Sequence, residues 1–210
     1  KEEPNITSQA NKAGISPRLL ASELVVEQLR LFNSNREIYK SIFAPLKVLG
    51  NQSQYSLGVM GIKMETAKKI EENLIDSKSQ FYLGSDYEKI LDYSAKELQD
   101  SEGNKDTARF IRLTNEKDRA YSYLYAALMT KQIQVSWQKA SFPIDDNIGV
   151  VTTLYNIGFQ HSNPNANPKV GGARINLSSG EKSYDYSFGE LAELFYESDE
   201  LVEMSSLWAD

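Results

Sequence analysis

Residues 16–32 read SPRLLASELVVEQLRLF, and this stretch decides how the rest of the chain is read. Ser16 is a good N-cap. Pro17 suits the first helical position, where a backbone N–H would have no partner anyway. Leu19, Leu20, Leu24, Val25, Val26, Leu29, Leu31 and Phe32 then cover most sides, until Asn33-Ser34-Asn35 ends the run. A helix apolar on most sides is expected to be central and buried. Glu27 interrupts the pattern. It lies on the line Leu20, Leu24, Glu27, Leu31, which follows one face of a helix. Burial disfavours the ionised form of a carboxyl group placed there. A carboxylic acid kept protonated near neutral pH is what a glycosidase needs to protonate a leaving oxygen. Glu23, one turn earlier, would push the same way if charged, and Arg30, one turn later, would oppose it. Periodicity equally allows Glu23, Glu27 and Arg30 as a solvated polar edge.

Outward from this helix, the pattern stays helical. Residues 1–14 (KEEPNITSQANKAG) are polar and show no period, so they read as an N-terminal arm or linker, and 15–210 as the domain. Residues 36–50 suggest a short helix broken at Pro45, followed by a turn at Gly50-Asn51. Tyr55 to Gly61 reads as a glycine-containing loop or short extended piece. Amphipathic helices are expected over 63–75 (Ala67, Ile70, Leu74) and 86–99 (Tyr87, Ile90, Leu91, Ala95, Leu98). A loop is expected over 100–108. A long helix follows over 116–139 (Tyr121, Leu124, Tyr125, Leu128, Ile133) and another over 146–157. Residues 159–184 are rich in Asn, Pro, Gly and Ser, and predict a long loop with at most a short hairpin. Loops of that length are often functional. A last helix covers 187–203. The fold class is therefore mainly α.

Composition narrows the chemistry. The chain has 210 residues, a net charge of −6 and no cysteine. Disulfides, thiolate-ligated metals and thiol nucleophiles are excluded. A single histidine, His161, sits in the polar loop, so neither a histidine metal site nor a Ser-His-Asp triad is expected. No cofactor and no metal are implied. No basic stripe of the kind that marks nucleic-acid binders is present. No apolar run approaches the ~20 residues of a membrane span. The chain opens on Lys1 rather than Met, which raises the expectation of an upstream signal or anchor.

Four segments in order carry a resemblance. They are Ser16-Pro17-Arg18-Leu19-Leu20 with Glu27, then Ser56-Leu57-Gly58-Val59-Met60-Gly61-Ile62, then Thr66-Ala67, and finally Tyr155-Asn156-Ile157-Gly158. The stretch Arg119-Ala120-Tyr121-Ser122-Tyr123-Leu124 stands between the last two. Together they span about 145 residues. In this order they resemble the lysozyme-like superfamily of soluble lytic transglycosylases and goose-type lysozymes. That family has a Pro-x-Leu-Leu helix ending in the catalytic Glu, a Ser-x-Gly-Leu-Met-Gln loop, a Thr-Ala helix start and a Tyr-Asn-x-Gly element. The resemblance implies a lysozyme-like helical domain with a glycan-binding cleft. It makes Glu27 the catalytic acid and Ser56, Gly58, Met60, Tyr155 and Asn156 substrate-binding residues. It implies peptidoglycan glycan strands as the partner and an exported, periplasmic or cell-envelope location.

The implied reaction cleaves the β-1,4 bond between N-acetylmuramic acid and N-acetylglucosamine. Glu27 acts first as acid and then as base toward the C6 hydroxyl, leaving a 1,6-anhydro product. Most glycosidases use two carboxyl groups. Glu37, Glu65, Asp145 and Asp146 are available by position, and none is singled out by spacing. A hydrolytic goose-type lysozyme is thus an alternative. The chain also departs from the family pattern, with Gln28 where Ser usually follows the catalytic Glu and Gly61 where Gln usually follows Met. These departures motivate a second alternative, a non-catalytic peptidoglycan-binding or scaffolding module on the same frame. A plain helical interaction domain is a third.

Overall fold

A computed structural model describes residues 2–33, 56–179 and 182–206. The expected short helix over 36–50, the turn at Gly50-Asn51 and Tyr55 lie outside the described residues. The protein is mainly helical, with one small two-stranded sheet.

The opening segment is a helix, not an arm. Helix α1 (Glu3–Ala13) packs on the long central helix and on the helix that follows it. Its apolar stripe is thin. Only Ile6, Ala10 and Ala13, with the amide of Gln9, turn inward. Three small contacts at helical spacing in a polar segment leave a weak periodic signal, and tertiary packing supplies the rest. Gly14 ends α1 in the left-handed conformation, and the next helix starts three residues later.

Helix α2 (Pro17–Asn33) is the predicted buried helix. The Ser16 hydroxyl accepts from the Leu19 N–H at 3.4 Å, as expected of an N-cap. Ile15, Leu19, Leu20, Ala21 and Val26 enter the core. Arg18 anchors the start of α2 by donating to the Ser198 carbonyl and lying over the Tyr196 ring.

Residues 57–62 form a tight turn closed by Leu57 and Ile62, whose backbones bond at 3.0 Å. Helix α3 (Met64–Ile75) follows, as the pattern predicts. The expected helix over 86–99 is broken. A single 3-10 turn (Ser85–Tyr87) leads into irregular backbone, and α4 (Ala95–Asp100) begins only after Ser94, in a capping box with Glu97. The cause is Arg112. Its guanidinium takes the Leu91 and Asp92 carbonyls at 2.7 and 2.8 Å, oxygens that a continuous helix would use itself. The expected loop over 100–108 is also shorter than predicted, because Asn104 caps a further helix, α5 (Lys105–Thr114), by accepting from the Asp106 and Thr107 N–H groups.

Helix α6 (Ala120–Lys139) is the centre of the molecule, with buried residues on every side. Helices α1, α3 and α5 and the following α7 (Ile148–Ile157) pack around it. The predicted long loop begins with a 3-10 turn (Phe159–His161), and Trp137 pins it by donating to the Ser162 hydroxyl at 2.9 Å. It ends in an antiparallel hairpin of β1 (Arg174–Ser179) and β2 (Lys182–Ser187). Ser187 and Glu190 form the capping box that starts α8 (Phe188–Glu197), which packs on α7 and α2. A short α9 (Glu203–Ser206) closes the described chain.

Candidate active site

Glu27 lies in the second half of α2, and its residue is only 2% exposed. It nevertheless borders a cavity of about 260 Å³. The same cavity is lined by Ser56, Tyr155 and Asn156, three of the residues that the motif order groups with Glu27. Residues 56, 27 and 155 come from three separate segments, and the fold brings them to one wall. The cavity also takes in Arg30, Gly61, Lys63, Thr66, Met129, Gly158, Gln160 and Ala173, to which the sequence assigns no site role. Gln160 and Ala173 belong to the Asn- and Gly-rich segment, so that segment forms part of the cavity wall.

Gly58 and Met60 are not on that wall. Met60 is fully buried, and a side chain on residue 58 would strike the Leu113 carbonyl. Both belong to the 57–62 turn. The turn is fastened from two sides. The Tyr155 hydroxyl donates to the Met60 carbonyl at 2.6 Å, and the Gln28 amide donates to the Val59 carbonyl. Tyr155 therefore commits its hydroxyl to the backbone of the turn, not to a free polar contact. Burial pushes its phenol well above its ordinary pKa, and the charges of Glu23 and Glu27 add to this. Asn156 lines the cavity and uses its side-chain oxygen to accept the Ala173 N–H at 2.9 Å, which ties α7 to the loop before the hairpin.

Gly61 is held in a conformation that calls for glycine. Its φ is +65°, and a Cβ there would lie 1.8 Å from the Glu27 Oε1. Glycine is the residue that fits both the backbone angle and the carboxyl group pressed against it. Gln28, next to Glu27 on α2, is one of the two side chains that bond the turn.

The electrostatics around Glu27 are mixed. Glu23, one turn earlier, is completely buried, and Thr130 on α6 donates to its Oε1 at 2.7 Å. Its Oε2 has no partner among the described residues. Burial holds the Glu23 carboxyl well above the usual carboxylate range, with the Thr130 hydrogen bond opposing in part. Glu23 does not line the cavity. Asp145, Asp146 and Glu65 do not line it either, while Glu37 lies outside the described residues. On the other side of Glu27, the Arg30 Nε and Nη2 donate to its two oxygens at 3.0 and 2.5 Å. Arg30 Nη2 also donates to the Ser56 hydroxyl at 3.3 Å. Sequence spacing puts Arg30 one turn from Glu27, but does not show the two-pronged geometry.

His161 is exposed on its 3-10 turn, away from the cavity lining. Among the described residues, no group of three His, Cys, Asp or Glu side chains could hold a metal ion, and no helix is long and apolar enough to cross a membrane. No protein-family model, curated protein or solved structure matches this chain.

Proposed function

We propose that the protein is a peptidoglycan lytic transglycosylase of lysozyme-like architecture, with Glu27 as its acid and base. The observation that carries this reading is a nearly buried carboxyl group that still borders a cavity, on the wall shared by Ser56, Tyr155 and Asn156. A carboxyl group in that setting is shielded from bulk water on one side and open to a ligand on the other, the arrangement that lets one acid give and retake a proton. Glu27 protonates the oxygen linking N-acetylmuramic acid to N-acetylglucosamine. It then accepts the proton of the muramyl C6 hydroxyl as that oxygen closes on C1, giving the 1,6-anhydro product. No water is consumed. Among the described residues, Glu27 is the only carboxyl group on the cavity wall, which favours this one-acid scheme over hydrolysis by a pair. The cavity is somewhat smaller than the ~300–1,000 Å³ of sites that enclose a whole small ligand. That suits a site gripping a short part of a long polymer.

Positioned acid–base catalysis contributes about 10²–10⁴-fold, so Glu27→Gln should leave the fold intact and remove nearly all muropeptide release from purified sacculi. Release at the wild-type rate by that variant would refute the assignment. A second reading, a glycan-binding module without turnover, draws on the Glu27–Arg30 ion pair, because an ionised carboxylate has no proton to give. Under that reading wild-type protein binds sacculi and releases nothing.

A further inference from the structure

The hairpin carries an aromatic face that the proposed chemistry leaves unused. Strands β1 and β2 pair with Ile175 opposite Tyr186 and Leu177 opposite Tyr184. Side chains alternate along a strand, so these four share one face. That face runs from the core out to solvent. Ile175 is buried, Leu177 and Tyr186 pack half-buried against the core, and Tyr184 is 46% exposed. The two tyrosine rings lie 6.5 Å apart and only 19° from parallel, so Tyr186 supports the Tyr184 ring. The opposite face is polar, with Arg174 paired to Asp185.

This face is continuous with the cavity wall. Ala173 lines the cavity and falls on the same alternation as Ile175 and Leu177. Its carbonyl accepts the Phe188 N–H at 2.9 Å, which carries the strand pairing one step further. Phe188 is fully buried, and its ring lies 6.3 Å from that of Tyr155, which also lines the cavity. Aromatic side chains thus follow one another from Tyr155 through Phe188 and Tyr186 to Tyr184. Leu177, opposite Tyr184, stands four residues beyond Ala173, about 13 Å along a strand. The root of the hairpin is fixed to the same wall. Asn156 accepts the Ala173 N–H, and the Gly189 N–H donates to the Gly171 carbonyl, both at 2.9 Å.

Resting on the transglycosylase reading, we propose that Tyr184 and Tyr186 form a second sugar subsite, on which a glycan strand held in the cavity lays a further pyranose ring. The contact suits a sugar. A pyranose presents a face of C–H bonds that packs on a tyrosine ring, while its hydroxyl groups at the rim stay in water. An aromatic ring already supported by a second ring makes that contact without ordering another mobile side chain, so little of the binding energy is lost. The platform does no chemistry. It grips the polymer about 13 Å along the hairpin from the cavity wall, so it favours long strands over short ones.

NMR titration of protein carrying isotope-labelled tyrosine rings tests this. The probes are a disaccharide and an octasaccharide of alternating N-acetylglucosamine and N-acetylmuramic acid, made uncleavable by sulfur-linked bonds. Wild-type protein should bind the octasaccharide about tenfold more tightly than the disaccharide, the scale of one aromatic ring contact. Only the octasaccharide should shift the ring signals of Tyr184 and Tyr186. Tyr184→Ala should lose the tenfold preference and keep the wild-type affinity for the disaccharide. Tyr184→Phe, which keeps the ring and loses the hydroxyl, should keep the preference. An undiminished preference in Tyr184→Ala, or ring signals of Tyr184 and Tyr186 that do not move with the octasaccharide, overturns the platform. So does an equal loss of affinity for both probes in Tyr184→Ala, which is the mark of a structural role. Failure of wild type to bind either probe overturns the platform together with the glycan reading. Undiminished cleavage of sacculi by Glu27→Gln overturns the transglycosylase reading alone.

Discussion

Glu23 and Glu27 stand one turn apart on α2 and are governed by opposite surroundings. Glu23 is buried with the Thr130 hydroxyl and pairs with no cation among the described residues, so burial holds its carboxyl well above the usual carboxylate range. Its folded pKa lies above the unfolded value of ~4.3, so its contribution to stability is complete below that value and is lost as pH rises through the folded pKa. Glu23→Gln mimics the neutral form at every pH. The variant should therefore match wild type near pH 4 and be the more stable of the two at pH 8. Urea unfolding at the two pH values measures the difference. Gly61 makes the second test at this level. Alanine there must adopt a left-handed angle, at a cost of roughly 1 kcal/mol, and its methyl group must push the Glu27 carboxyl aside. Displacement of a catalytic group by about 1 Å can cost 10²-fold, so Gly61→Ala should lower muropeptide release by about that factor with the protein still folded. By sequence Gly61 is only a departure from a family pattern; the structure gives it a physical role that residue identity alone could not reveal.

The 57–62 turn is where helices α2 and α7 meet the cavity, and it is held by side chains rather than by a sheet. Tyr155 and Gln28 each donate to one of its carbonyls. Tyr155→Phe removes the first donor and leaves a buried carbonyl short of a partner, a loss of about 1–3 kcal/mol. Thermal unfolding should register this as a fall in Tm with little change in secondary structure. These elements also show what the sequence can convey. Helix α2 is legible because its cap and its apolar run agree, and α3, α6 and α7 because their periods are strong. Helix α1 is not, because its inward stripe is mostly alanine and its stability comes from α6. The break between Tyr87 and Ala95 is not legible either, because its cause is Arg112, about twenty residues along the chain. For the site, the order of short motifs names Glu27, Ser56, Tyr155 and Asn156, which line the cavity, and Gly58 and Met60, which do not, since a motif records which residues recur and not whether they face a cavity or the core. Lys63, Gln160 and Ala173 carry no distinctive pattern and reach the cavity only through folding.

The described ion pairs stand in two different settings. Away from the cavity, Arg112 pairs with Glu97 at 2.7 Å and lies against the Tyr93 and Tyr121 rings, while Arg109 pairs with Glu71 at 2.7 Å. Burial raises the Glu71 pKa, but hydrogen bonds from Arg109, Tyr125 and Tyr93 outweigh it and bring it below the usual carboxylate range. The hydrogen bond from Arg112 holds Glu97 down to about 2. A lowered folded pKa gives stability that is present above the unfolded value and lost as pH falls through the folded one. Glu97→Gln should therefore be less stable than wild type at pH 7, and the gap should close as pH falls from about 4.3 toward 2, which urea unfolding across that range measures. This network closes on itself, whereas Glu27 and Arg30 form a pair that opens onto a cavity. The contrast is why we assign chemistry to the second and not the first. The most direct measurement is mass spectrometry of the fragments that the protein releases from purified sacculi. The account predicts muropeptides ending in 1,6-anhydro-N-acetylmuramic acid from wild type and essentially none from Glu27→Gln. Fragments with ordinary reducing ends, or no fragments from wild type at all, would contradict it.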